Sequence, residues 1–93
     1  MSPINKKKLN LLRVKLDKLD NELLKLIKKR SNLVNEVLKV KIHKKEIIDQ
    51  KRINFILKKI NKKSIQHNID PKITNRIWKN MIWSFIDYEK RNF

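Results

Sequence analysis

The sequence predicts an all-α fold with three helices per chain, a long first helix and two shorter ones. Three observations predict it. Leucines recur from Leu9 at alternating three- and four-residue steps, Asp70-Pro71 opens another apolar stripe of helical period, and no stretch alternates apolar and polar residues over a strand's length.

The first helix is expected from about Asn5 to about Ile42. Leu9, Leu12, Leu16, Leu19, Leu23 and Leu26 keep the rhythm, which resumes at Leu33, Val37 and Val40. Such a helix is about 50 Å long, whereas a lone domain of this size spans only about 25–30 Å. The helix should therefore protrude, and its apolar seam should need a partner, most simply a second copy of the chain. A polar turn follows at His43-Lys44-Lys45-Glu46. The second helix begins around Ile48 or Asp49, where Asp49 can cap it. It continues through Ile53, Ile56, Leu57 and Ile60 and fades at Lys62-Lys63-Ser64. Gln66-His67-Asn68-Ile69 reads as a loop. Asp70-Pro71 starts the third helix, with an acid at the N-cap and proline at the first helical position. Ile73, Ile77, Trp78, Met81, Ile82, Phe85 and Ile86 form its buried side. The stripe Trp78, Ile82, Phe85 then meets Glu89 on its next beat. With no repeat and no linker, residues 1–93 read as a single domain.

Composition narrows the classes. The chain has 93 residues, a formal net charge of +16 and no cysteine, so disulfides and thiolate metal sites are excluded. His43 and His67 stand in polar segments with no second ligand at metal spacing, and neither a metal nor a cofactor is expected. No signal-peptide core and no membrane-length apolar run is present, so a soluble cytoplasmic protein is expected. Basic chains bind phosphate backbones, but Lys, Asn and Ile make up nearly half of this one while Gly and Ala are absent. Its lysine runs are dispersed and carry no interleaved aromatics, so nucleic acid is not the expected partner.

One residue breaks the leucine seam: Arg30 occupies the beat between Leu26 and Leu33. A buried guanidinium needs an anion. Its partner is either a structural one, such as Glu22, the Asn35 amide or an acid of another chain, or an anionic ligand. Arg30, Val34, Val37 and Lys41 follow steps of four, three and four, so Arg30 and Lys41 share a face. Asp49 and Arg52, three apart, share another. Arg13 lies about 25 Å from Arg30 along the helix and could meet its site only from a second chain. Arg13, Arg30, Lys41, Asp49, Arg52 and Glu89 together suit a small ligand bearing carboxylates or phosphates. Ser31, Ser64 and Ser84 lack a nucleophile's context, so an enzyme built this way works by positioning and electrostatics. Each residue also has a plain reading. Arg13 and Lys41 are then surface cations, Asp49 an N-cap with Arg52 beside it, and Glu89 a solvated residue of a terminal turn. Trp78, Trp83 and Phe85 are then core or interface.

Order and spacing resemble the all-helical AroQ class of chorismate mutases along nearly the whole chain. The resemblance rests on Leu12-Arg13, Leu19-Asp20-Asn21-Glu22-Leu23-Leu24 and Leu26-Ile27-Lys28-Lys29-Arg30. It continues through Val34, Val37 and Lys41, then Ile47-Ile48-Asp49-Gln50-Lys51-Arg52, His67-Asn68-Ile69-Asp70-Pro71, and Ile77-Trp78 with Met81-Ile82. It implies an intertwined homodimer whose two active sites draw on both protomers, converting chorismate to prephenate on the shikimate route to aromatic amino acids. By the same resemblance Arg30 binds one substrate carboxylate and Arg13 of the other chain the second. Lys41 donates to the ether oxygen, Asp49 holds the ring hydroxyl and Arg52 supports the carboxylate network.

Three positions depart from the family pattern. Ile53 stands where a glutamate is usual, Phe85 where a small hydroxyl residue is frequent, and Glu89 where a glutamine is usual. Ile53 and Phe85 resemble the related isochorismate-pyruvate lyases, which form salicylate; Asp49 points back to the mutase. An ionised Glu89 would repel charge growing on the ether oxygen, so catalysis is expected to need its neutral form and to improve toward acidic pH. An alternative of another class is a basic helical module that binds nucleic acid or an acidic protein. The chain's length leaves no room for an added regulatory or dehydratase domain, and a single activity is expected.

Overall fold

The computed structural model describes residues 2–41 and 43–93. Three α-helices, α1 (Pro3–Val40), α2 (Gln50–Gln66) and α3 (Pro71–Asn92), are joined by a short 3-10 helix at Lys44–Ile47, and no strand occurs among the described residues. None of the helices is long and apolar enough to cross a membrane.

Helix α1 starts at Pro3, earlier than expected, because Ser2 caps it. The Ser2 hydroxyl accepts the Asn5 N–H at 3.2 Å, and the Ser2 carbonyl accepts the Lys6 N–H at 2.9 Å. Ser2-Pro3 is the same N-cap and N1 pairing as Asp70-Pro71. The helix ends at Val40; the expected end, Ile42, lies outside the described residues.

The chain divides into two compact units, Met1–Leu33 and Val34–Phe93. In the first, α1 keeps its apolar seam open, with Leu12, Leu16, Leu19, Leu23 and Leu26 each more than half exposed. Among the described residues of α1, none is buried.

The second unit is built on four buried isoleucines, Ile47, Ile53, Ile82 and Ile86, with Leu38, Ile56 and Leu57 packed against them. Ile82 and Ile86 are one turn apart on α3, so both point to the same side. The segment expected as a polar turn is the 3-10 helix, which delivers Ile47 to this core at only 3% exposure. The Glu46 carboxylate accepts the His43 N–H at 3.3 Å and closes that turn.

Helix α2 begins after Asp49, whose carboxylate accepts the Arg52 N–H at 3.0 Å. It does not fade at Lys62-Lys63-Ser64 but continues to Gln66, so Gln66 belongs to the helix and not to the loop. The reason is Ser64, which is buried. Its hydroxyl donates to the Ile60 carbonyl at 2.6 Å and meets the Thr74 hydroxyl of α3 at 2.7 Å. A polar residue that ties two helices together has no cause to end one.

The turn between α2 and α3 is made without glycine, which the chain lacks. Asn68 takes the left-handed conformation, φ 55°. Its N–H donates to the Ile65 carbonyl at 3.2 Å and that of Ile69 to the Ser64 carbonyl at 2.8 Å. This is the Schellman pattern, and asparagine is the side chain that tolerates it best after glycine. Asp70 then caps α3 by accepting the Lys72 N–H at 2.9 Å. The buried positions of α3 are Thr74, Ile82, Ile86 and Glu89. Trp78, Met81 and Phe85 are half-buried, while Ile73 and Ile77, expected on the buried side, are about half exposed at 54% and 51%.

Substitution at Asn68 tests the turn. Asn68→Ala should lower stability by about 1 kcal/mol, whereas Asn68→Gly should leave it unchanged or slightly higher, measured by urea denaturation at one protein concentration.

Candidate active site

Glu89 is a buried carboxyl, not a solvated residue of a terminal turn. Steps of four and three carry the buried stripe from Ile82 to Ile86 to Glu89, so its side chain points where theirs point. Lys41, one residue past the end of α1, donates from Nζ to Glu89 Oε1 at 3.2 Å. The two side chains are 16% and 7% exposed. Sequence spacing places both on apolar faces, but their direct meeting across 48 positions is a product of the fold.

A buried ion pair is held by its own desolvation. Removing one partner strands the other charge, at a cost of about 3–5 kcal/mol. The same surroundings make the pair chemically useful, because a donor in a poorly solvated site acts on developing charge more strongly than one in water.

Lys41 also lines an open groove together with Glu46, Ile48, Asp49, Gln50 and Lys51. Two of the candidate residues, Lys41 and Asp49, therefore border one depression. Asp49 Oδ1 is engaged in capping α2. Arg52 gives its backbone N–H to that cap, while its exposed guanidinium lies over the Phe55 ring, 5.3 Å from the centroid. Lys59 approaches the same ring at 5.8 Å. Phe85 is half-buried one turn before Glu89. Ile53 is buried among the isoleucines and presents no polar group.

Arg13 and Arg30 both stand on α1 within the first unit, Arg13 exposed and Arg30 half-buried. The residues named as alternative partners of Arg30 have contacts of their own. Glu22 pairs with Lys25 at 3.4 Å, and Asn35 accepts a hydrogen bond from Tyr88 at 2.7 Å.

The Tyr88–Asn35 bond is a feature that sequence reasoning missed. Its one local signal is a tyrosine beside the stripe on α3, since a half-buried phenol needs a partner for its hydroxyl. Among the described residues no cluster of acids and histidines could hold a metal, and no buried side-chain polar atom lacks a hydrogen-bond partner.

Comparison with known proteins identifies the family. The family model for chorismate mutase type II matches residues 12–90. A chorismate mutase of Methanocaldococcus jannaschii is 36% identical over 76 residues, which cover 81% of this chain and 77% of that protein. No solved structure matches. The matched span encloses every candidate residue from Arg13 to Glu89. The chain belongs to the chorismate mutase type II family and is an enzyme of the isomerase class.

Proposed function

We propose that the protein converts chorismate to prephenate, on the route to the aromatic amino acids, as an intertwined homodimer with two composite active sites. The observation that carries this reading is the buried Lys41–Glu89 pair, a cation and a carboxyl set together within the span that matches the family. The homodimer is supported by the open leucine seam of α1, which a second chain would cover. The family match runs across both compact units and supports one functional domain over residues 1–93.

The reaction suits a site with no nucleophile. One ether C–O bond breaks while one C–C bond forms within a single molecule, and nothing is added or released. No cofactor or metal is required. The protein has two tasks: to hold the substrate in its folded conformation and to stabilise negative charge growing on the ether oxygen. Arg30 takes one carboxylate through its guanidinium fork, and Arg13 of the partner protomer takes the other. Lys41 donates to the ether oxygen. Glu89, a carboxylate paired with Lys41 in the free protein, must take up a proton to donate a second hydrogen bond to the same atom. Asp49 holds the ring hydroxyl from the groove it shares with Lys41, in place of a glutamate at the Ile53 position. Arg52 supports the carboxylate network, and Phe85 supplies part of the apolar wall.

Ile53 and Phe85 favour a second reading, isochorismate-pyruvate lyase, because both remove polar groups from the ring-binding side. Incubation of the purified protein with chorismate and, separately, with isochorismate distinguishes the two. The mutase reading predicts prephenate from chorismate and neither pyruvate nor salicylate from isochorismate; the reverse pattern would overturn it.

The composite site makes a separate prediction. Arg13→Ala and Arg30→Ala should each abolish turnover while leaving a folded dimer of twice the 11.3 kDa chain mass. Unfolding and refolding the two inactive variants together in equal amounts should restore about a quarter of wild-type activity, since half the dimers are then mixed and each mixed dimer keeps one intact site. No recovery would show that Arg13 does not act across protomers.

A further inference from the structure

The Lys41–Glu89 pair has a neighbour. Tyr88 Oη donates to Asn35 Oδ1 at 2.7 Å, joining the same two helices, and both residues are half-buried. Helix α3 packs closely on α2 and on the 3-10 helix. At its C-terminal end it reaches α1 through these two long side chains, Tyr88 and Glu89.

Tyr88 and Glu89 are consecutive, so they leave α3 about 100° apart, while their partners Asn35 and Lys41 lie roughly 9 Å apart along the direction of α1. A single contact leaves a helix end free to turn about its own axis. Two contacts in divergent directions do not. The end of α3 needs that restraint, because only Lys90, Arg91 and Asn92 complete the helix after Glu89, all three are exposed, and terminal turns fray.

We propose that Tyr88 is a positioning residue for the reaction: its hydrogen bond to Asn35 fixes the rotation of the last turns of α3 and so aims the Glu89 carboxyl at Lys41. The proposal rests on the reading of Glu89 as a donor to the ether oxygen. Tyr88 acts only through Glu89 and touches no substrate atom. Its loss should therefore slow the chemical step and spare the arginine contacts that govern binding.

The test uses Tyr88→Phe and Asn35→Leu, singly and combined, in the full-length protein with helicity and oligomeric state checked. Two quantities are measured: steady-state kinetics with chorismate, and the NMR cross-relaxation between the Lys41 Cε and Glu89 Cγ methylene protons. Each single variant should lower kcat roughly ten-fold with KM within about two-fold, and the double variant should be no worse than either, because both remove one bond. The cross-relaxation should weaken in all three. Undiminished cross-relaxation, or losses that add in the double variant, would overturn the proposal. Weakened cross-relaxation with unchanged kcat would uphold the positioning and instead overturn the catalytic reading of Glu89. Should Tyr88→Phe fail to fold, Asn35→Leu alone decides.

Discussion

Two opposite charges lie side by side out of water where α1 ends and α3 is about to end, and the rest of the second unit is arranged around keeping them there. Each ion gives up several kcal/mol of hydration, which their attraction offsets only while they remain in contact. The pair therefore tolerates little slack. The isoleucine core sets the distance from α3 to α2 and to the 3-10 helix, with Leu38 of α1 packed against it. The Ser64–Thr74 hydroxyl contact sets the register of α2 against α3. Tyr88 and Asn35 add a second tie beside the pair itself. Such rigidity suits the proposed reaction, which needs only orientation and a place for developing charge.

The first unit obeys a different constraint. Its helix carries an apolar seam that its own chain leaves open, and a row of half-exposed leucines is costly in water at about 25 cal/mol per Å². Joining this seam to another copy would cover it. It would also bring an arginine about eight turns upstream of Lys41 to a partner's site. On the proposed reading, the open seam and a composite site would answer one need: two chains together can enclose an anionic substrate between them.

What the sequence made legible is what helical period and capping chemistry encode locally. The leucine rhythm gave α1, Asp49 and Asp70-Pro71 gave the starts of α2 and α3, and the beat after Phe85 placed Glu89 on an apolar face. Where reading failed, a residue's character was outweighed by its tertiary surroundings. Ser64 looked like a helix terminator and is an interhelical contact. His43-Lys44-Lys45-Glu46 looked like a solvated turn, yet its geometry delivers the most buried isoleucine, Ile47. Ile73 and Ile77 fit the apolar period of α3 but lie beyond the reach of the core. Lys41 meeting Glu89, and Tyr88 meeting Asn35, depend on separations of 48 and 53 positions that no local pattern contains. Of the candidate site, residue types were legible and partners were not.

The pH–rate profile of the wild type set against that of Glu89→Gln tests the pair's place in the chemistry most directly. A carboxylate beside the ether oxygen opposes the charge that forms there, whereas a carboxylic acid or an amide donates to it. The account predicts that wild-type kcat with chorismate rises toward acidic pH and that Glu89→Gln flattens this dependence while remaining active. Superimposable profiles, or a wild-type rate that rises toward alkaline pH, would contradict it.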